Sequence, residues 1–313
     1  SYLTEEEYKA VMEKREGVYA GVGITISTAT DGSYYVITAV TEDSPAQKAG
    51  IQPLDLLVAV DGESAAEMSF DDLSDRVKGE PGSEVTLTIL REGVQQKYTL
   101  QREEVQTPGV KAQMLEGNIG LIRIESFSKN VDQEFSQKLQ QLLDDGAQAL
   151  VFDVRFNPGG FVDVLVNMLD ELLPKGTVIS ITDKAGESTT YSSDEECVKL
   201  PMAVLCNEYS ISAAEFFAAS LQEYGAATVV GEHTLGKGYA QTMIPLTGGG
   251  ALNLSTSRYY TAKGVSLAGV GITPDVESSL SEDKLNRFYT LQPEEDDQLQ
   301  KALEVLRQQM SEN

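Results

Sequence analysis

The sequence has 313 residues, 41% of them apolar and 23% charged, which is long enough for two domains and a large core and reads as globular. With 24 Lys and Arg against 49 Asp and Glu, the formal charge is −25, which argues against nucleic acid as a partner and disfavours docking on anionic lipid. No stretch reaches the ~18 apolar residues that a spanning helix needs. The chain opens at Ser1 without a methionine, so any signal or anchor would lie outside this sequence. Cys197 and Cys206 have no histidine or further cysteine beside them and cannot make a zinc site. Cys206, in Val204-Leu205-Cys206, reads as a buried thiol, with a disulfide to Cys197 left open.

Residues 1 to 16 set Glu5, Glu6, Glu7, Lys9, Glu13 and Lys14 around Tyr8, Val11 and Met12, the pattern of a short amphipathic helix. From Tyr19 to about Arg102 short strands follow. Ile24-Thr25-Ile26, Tyr35-Val36-Ile37 and Val85-Thr86-Leu87-Thr88-Ile89 are apolar and β-branched. Asp31-Gly32 and Asp61-Gly62 are turn signals. Gln106-Thr107-Pro108-Gly109 leads out of it. Ile119 to Ile124 opens a second sheet, and Val131 to Leu143 places Val131, Phe135, Leu139 and Leu142 at helical spacing before Gly146. The apolar run Ala149 to Val154 is a buried strand, with a helix over Phe161 to Leu173. Met202 to Cys206 and Ala213 to Gln222 repeat the pattern. The strand–helix alternation is expected to run to about Leu280, an α/β domain. Asp297 to Gln309 closes the chain as a helix with Leu299, Ala302, Leu303 and Leu306 on one face.

The chemistry centres on Ser212, in Asn207-Glu208-Tyr209-Ser210-Ile211-Ser212-Ala213-Ala214-Glu215, and on Lys237, in Gly236-Lys237-Gly238. A serine needs a base to become a nucleophile. The chain has a single histidine, His233, so a Ser-His-Asp reading rests on one candidate, and lysine is a known replacement for histidine as the base. An ordinary lysine is protonated at neutral pH, and burial favours the neutral amine that a base requires. A serine at a helix start is also an ordinary N-cap, with Glu215 three residues on to close a capping box. The two readings coexist, because a helix N-terminus favours negative charge. Asn157-Pro158-Gly159-Gly160 stands between a strand and a helix, where glycines let backbone N–H groups face a substrate.

These stretches, together with Asp153-Val154-Arg155-Phe156, Arg258-Tyr259-Tyr260-Thr261 and Gly271-Ile272-Thr273-Pro274-Asp275 in order, resemble the carboxy-terminal processing proteases, also called tail-specific proteases, the PDZ-containing serine peptidases of the S41 type. The likeness runs from about residue 19 to about residue 305. Tyr209, Ile211 and Ala214 depart from it, since the family usually has small residues around the serine, and the departure bears on substrate preference near the nucleophile. The resemblance implies an α/β protease core of crotonase-like ββα units with an inserted or N-terminal PDZ-like β-rich domain. Residues 1–18 would be a helical segment of the core, 19–104 the PDZ-like domain and 105–313 the Ser-Lys protease core. It further implies Ser212 as nucleophile, Lys237 as base, Gln241 orienting the lysine, and an oxyanion hole from Gly159 or Gly160 with Ala213. No cofactor and no metal are expected.

The PDZ-like block carries its own marks in Ser44-Pro45-Ala46-Gln47-Lys48-Ala49-Gly50-Ile51, Leu54-Asp55 and Val58-Ala59-Val60-Asp61-Gly62. Within Tyr19-Ala20-Gly21-Val22-Gly23-Ile24, the residues Gly21, Val22, Gly23 and Ile24 resemble the loop that captures a peptide's terminal carboxylate on backbone N–H groups. Lys78 takes the place of a basic residue common in this family's PDZ domains and is a candidate gating contact. The partners implied are protein or peptide substrates, especially their C-termini, with a homo-oligomer and a regulatory protein as further partners that the family reading admits. The implied location is extracytoplasmic, in the cell envelope or secreted. Two other classes compete. One is a non-catalytic peptide-binding module with a degenerate core, against which the presence of both Ser212 and Lys237 argues. The other is an oxyanion-hole enzyme of the crotonase type, for which no coenzyme A signature is evident.

Overall fold

The computed structural model describes residues 1–28 and 34–312, and the turn signal Asp31-Gly32 lies outside them. The chain divides into two compact units, Ser1–Arg15 with Gly109–Asn313, and Glu16–Pro108. The second is wider at both ends than the 19–104 block read from sequence. The reason is an antiparallel ribbon, Val18–Gly21 on Glu103–Gln106, that closes it.

The first unit is built on a six-stranded sheet in the order Val110–Leu115, Ile119–Ile124, Ala149–Asp153, Met202–Cys206, Ala227–Gly231, Val276–Glu277. The first pair is antiparallel and the rest are parallel. Every residue of Ala149–Asp153 and Met202–Cys206 is buried, as expected for strands covered on both faces. The period of two splits the strands between two cores. Leu150, Phe152, Val204 and Val229 pack with the helices Val131–Asp144, Val162–Asp170 and Ala213–Glu223. Leu121, Val151, Ala203, Leu205 and Val230 pack instead on Leu299, Ala302, Leu303 and Leu306 of the C-terminal helix Asp297–Glu312.

The strand–helix alternation does not continue to Leu280. After Ala227–Gly231 the chain builds a second, antiparallel sheet in the order Tyr2–Leu3, Ala251–Thr261, Gly176–Asp183, Ser188–Ser193, with Tyr239–Pro245 also paired to Ala251–Thr261. In that long strand Thr256, Tyr259 and Tyr260 favour extended backbone, and the polar Asn253, Ser255, Ser257 and Arg258 among them suit a sheet wet on one face. Residues 1 to 16 therefore are not one helix: Tyr2–Leu3 joins this sheet and the helix is Glu5–Glu16.

The second unit is an antiparallel sheet, Ile24–Thr28, Tyr35–Val40, Leu56–Val60, Glu84–Arg91, Val94–Gln101, with the helix Phe70–Val77. Val22, Ile37, Leu57, Leu73, Leu87 and Ile89 form its core. Asp61 and Gly62 both hold positive φ, 50° and 87°, the turn that lets Leu56–Val60 fold back on Glu63–Ser64. Among the described residues no helix is long and apolar enough to cross a membrane.

Candidate active site

Three loops leave the carboxyl ends of neighbouring parallel strands, where open α/β sheets place their sites. They follow Ala149–Asp153, Met202–Cys206 and Ala227–Gly231, and they carry the Asn157–Gly160 turn, Ser212 and Lys237. Ser210 anchors the middle loop: its hydroxyl donates to the Val154 carbonyl at 2.8 Å and accepts the Asn207 N–H at 3.0 Å. Ser212 follows as the N-cap of Ala213–Glu223 with φ 58° and ψ −117°, a strained backbone for a residue with a Cβ. A sharp strand-to-helix turn of this kind is how a serine hydroxyl is lifted clear of a sheet. The capping box expected from sequence is present, with Glu215 accepting the Ser212 N–H at 2.9 Å.

Glu215 does more than cap a helix. It is fully buried, and its carboxylate takes four donors. Oε1 accepts from the Thr234 hydroxyl at 2.6 Å and the Gly236 N–H at 2.7 Å, and Oε2 from the N–H groups of Ser212 at 2.9 Å and Lys237 at 2.8 Å. One side chain thus ties the serine turn to the Gly236-Lys237-Gly238 loop. The flanking glycines let that loop lie close on residues 267–271. A Cβ on Gly236 (φ 85°) would come within 2.7 Å of the Gly271 nitrogen, and one on Gly238 within 2.4 Å of the Ala268 nitrogen. Ser212 and Lys237 are both partly buried. Among the described residues no hydrogen bond joins their side chains, so the two loops meet through backbone and Glu215.

The Asn157 turn packs against the same serine. Asn157 is fully buried: its Nδ2 donates to the Ile124 carbonyl at 2.7 Å, its Oδ1 accepts the Gly159 N–H at 2.8 Å, and its carbonyl accepts the Ile211 N–H at 2.9 Å. Gly159, at φ 90°, lies so near that a Cβ there would stand 2.9 Å from Ser212 Cβ and 3.0 Å from the Ala213 nitrogen. Gly160 bridges Phe127 as a parallel strand would. The bonds run through the Gly159 carbonyl (3.0 Å) and the Phe161 N–H (2.7 Å), so the Gly160 N–H faces away from Phe127. Among the described residues no hydrogen bond is drawn from the Gly160 or Ala213 N–H.

Under this turn lies a buried ion network. Asp153 pairs with Arg155 and Arg123, and Arg155 reaches Asp296 and Gln298 near the other end of the chain. Burial alone would raise the Asp153 carboxyl, but the two guanidiniums and the Arg155 hydrogen bonds outweigh it and hold the group at about 2.

The remaining sequence candidates are placed as follows. Gln241 sits on the exposed strand Tyr239–Pro245, its Oε1 accepting from Asn253 Nδ2 at 3.3 Å. His233 is exposed, with Nε2 at 2.7 Å from the Val270 carbonyl and Nδ1 at 3.3 Å from the Thr273 hydroxyl. Cys197 and Cys206 are free thiols, so the disulfide left open above is not formed. In the second unit, Gly21 ends a strand, Val22 and Gly23 form a loop, and Ile24 begins Ile24–Thr28, an outer strand of its sheet. The Val22 and Gly23 carbonyls accept from Ala46 and Thr41 at 2.9 Å each, and no hydrogen bond among the described residues is drawn from their N–H groups. Gly23 holds φ 81°. Lys78 is exposed and caps the helix Phe70–Val77 through its N–H on the Ser74 carbonyl. Sequence reasoning missed the clasp made by Glu215 and Thr234; the capping-box position of Glu215 was the signal.

The model of peptidase family S41 matches residues 118–278, which hold all three loops. The chain belongs to peptidase family S41. Residues 36–91 of this S41 chain match a PDZ domain. It is 32% identical over 311 residues to a carboxyl-terminal-processing protease of Synechocystis sp., covering 97% of this chain and 72% of the relative. It is also 32% identical over 286 residues to a carboxy-terminal-processing protease of Bartonella bacilliformis, covering 88% of this chain and 65% of that one, so it spans about two thirds of those relatives' lengths. Among solved structures it is similar to the photosystem II D1 C-terminal processing protease, with a TM-score of 0.54 and 29% identity over 89% of this chain and 77% of that one. The tricorn protease shares its fold, with a TM-score of 0.56 at 19% identity over 94% of this chain and 29% of that one.

Proposed function

We propose that the chain is a serine endopeptidase that cleaves unstructured or C-terminal regions of proteins, with Ser212 as nucleophile and Lys237 as general base. The observation that carries this reading is the Glu215 carboxylate, which holds the Ser212 turn and the Lys237 loop on one oxygen. Lys237, as the neutral amine, takes the hydroxyl proton as Ser212 Oγ attacks the scissile carbonyl. The oxyanion that forms accepts from the N–H groups of Ala213 and Gly160, while Gly159 keeps its own N–H on Asn157 and shapes the turn. Protonated Lys237 then gives its proton to the leaving amine, and water releases the acyl group by the reverse path. Gln241 serves in this reading as the orienting partner of Lys237.

The PDZ unit recruits the substrate. Gly21, Val22, Gly23 and Ile24 offer N–H groups to a terminal carboxylate, and the strand beginning at Ile24 offers an edge for the peptide. Lys78 is the residue through which a bound peptide would gate the core. Action outside the cytoplasm accompanies this reading, and fractionation of the producing cells tests it.

The experiment is cleavage of an unfolded protein by wild type and S212A side by side; equal cleavage refutes the reading. Deletion of residues 16–108 separates the roles of the PDZ unit. Loss of protein cleavage with a short chromogenic peptide still cut at the wild-type rate means recruitment without gating. A change in the rate on the short peptide means gating. Wild-type rates on both substrates refute both roles.

A further inference from the structure

Phe156 stands between Arg155 of the buried ion network and Asn157 of the turn that packs on Ser212. Its φ is 60°, a left-handed conformation that a bulky residue keeps only when its surroundings impose it. Its N–H donates to Asn207 Oδ1 at 3.1 Å. Its ring is held by three others: Tyr209 stacks on it at 5.2 Å and 9°, Phe288 meets it at 4.6 Å and 49°, and Tyr289, more distant and exposed, lies at 6.1 Å and 47°.

Phe288 is itself anchored. It is 3% exposed, and the guanidiniums of Arg123 and Arg155 each lie 4.6 Å from its centroid. Arg155 in turn is clamped by Asp153 and by Asp296, eight residues beyond Phe288 (296 − 288 = 8). The segment from Phe288 to Asp296 therefore backs the Asn157–Gly160 turn through two aromatic contacts, of which the buried Phe288 is the closer, although more than a hundred residues of chain separate them.

We infer that Phe288 is a positioning residue: by holding the Phe156 ring it keeps the Phe156 backbone left-handed, and so keeps the Asn157–Gly160 turn seated against Ser212. The inference rests on the peptidase reading for its effect on rate, but not for its effect on the turn. A turn displaced by even ~1 Å loses its alignment with the reacting carbonyl, so the loss falls on kcat and leaves KM nearly as it was. Asparagine tolerates the left-handed conformation without a ring to hold it. In an F156N background the dependence on Phe288 should therefore vanish.

The test is a double-mutant cycle in the full chain with F288L, F156N and F156N/F288L, each measured well below its melting temperature. F288L is expected to lower kcat on a chromogenic peptide by roughly tenfold or more with KM within about twofold. The double variant should differ from F156N by less than about twofold. Hydrogen exchange of the Gly159 amide, held by Asn157 Oδ1, reads the same cycle without activity. It should speed up by roughly tenfold in F288L and not in the double variant relative to F156N. Equal losses in both backgrounds, by rate and by exchange, would mean that Phe288 only packs the core and would overturn the proposal. No change in F288L by either readout would do the same. If F288L does not fold, F288M keeps the volume and enters the cycle in its place. Wild type without serine-dependent cleavage, but with the exchange pattern intact, would sink the peptidase reading and leave the positioning role standing.

Discussion

Ser212 and Lys237 donate their backbone N–H groups to the same oxygen, Oε2 of Glu215, at 2.9 and 2.8 Å. Residues on two different loops are thereby held at one point, which side-chain contact between them does not achieve in this structure. A carboxylate suits the place because it only accepts, and four donors converge on it.

E215Q tests that arrangement. The amide keeps the volume but turns one acceptor into a donor, so two of the four buried donors lose their partner, at about 1–3 kcal/mol each. A drop in kcat of roughly a hundredfold and a lower melting temperature are expected. Wild-type turnover with unchanged melting would show that the clasp is dispensable.

S212A and K237A should each abolish cleavage of an unfolded protein, because a nucleophile and its base act as a unit. S212A should cost no more than about 2 kcal/mol of folding stability, the range for removing an N-cap serine. H233A should remain active, because its ring is exposed and bonded to Val270 and Thr273. Robust turnover by K237A would return His233 to consideration as the base.

Acid should weaken the first unit through Asp153. Its carboxyl lies at about 2 in the fold against an ordinary 3.8, so its contribution is complete above the ordinary value and is lost as pH falls from about 4 to about 2. The size is about 2 kcal/mol. Denaturant midpoints at pH 5 and pH 2.5 for wild type and D153N check this. D153N should start lower, by roughly 3 kcal/mol or more, because it leaves Arg155 buried beside a neutral partner. It should also lose less between the two pH values. Parallel pH profiles for the two proteins would refute the assignment to Asp153.

Cys206 should resist alkylation at pH 8. Burial pushes its thiol up to about 12, and its Sγ lies 3.4 Å from the Glu232 carbonyl, so almost no thiolate is present. Cys197 is partly exposed and should react. Titration with a disulfide reagent is expected to count one thiol in the native protein and two after denaturation. Two fast thiols in the native protein would contradict the burial.

Much of the fold could be read from local pattern. Ile119–Ile124 and Met202–Cys206 form with the ends that their apolar runs mark, because a continuous apolar run already states which faces must be covered. After Gly231 the expected strand–helix repeats give way to an antiparallel sheet. Its glycines and short polar strands carry no periodic stripe, and only their pairing, Tyr239–Pro245 on Ala251–Thr261, makes them a sheet. Ser212, Lys237, Gly159, Gly160 and Ala213 were legible as motifs. Glu215 was legible only as a capping residue.

Residue type and spacing by themselves determined most elements up to Gly231 and the division into a β-rich block and an α/β core, and the ordered motifs carried the resemblance to the family. These depend on side-chain chemistry within a few positions along the chain, and on ordered motifs. Only the tertiary structure decided which donors meet at Glu215, that Gly159 rather than a larger residue can lie against Ser212, and that Phe288 packs on Phe156 while Asp296 pairs with Arg155. Those contacts join residues far apart in sequence through close approach of backbone and buried charge. No local pattern encodes them, because each partner taken alone looks like an ordinary cap, turn or surface residue.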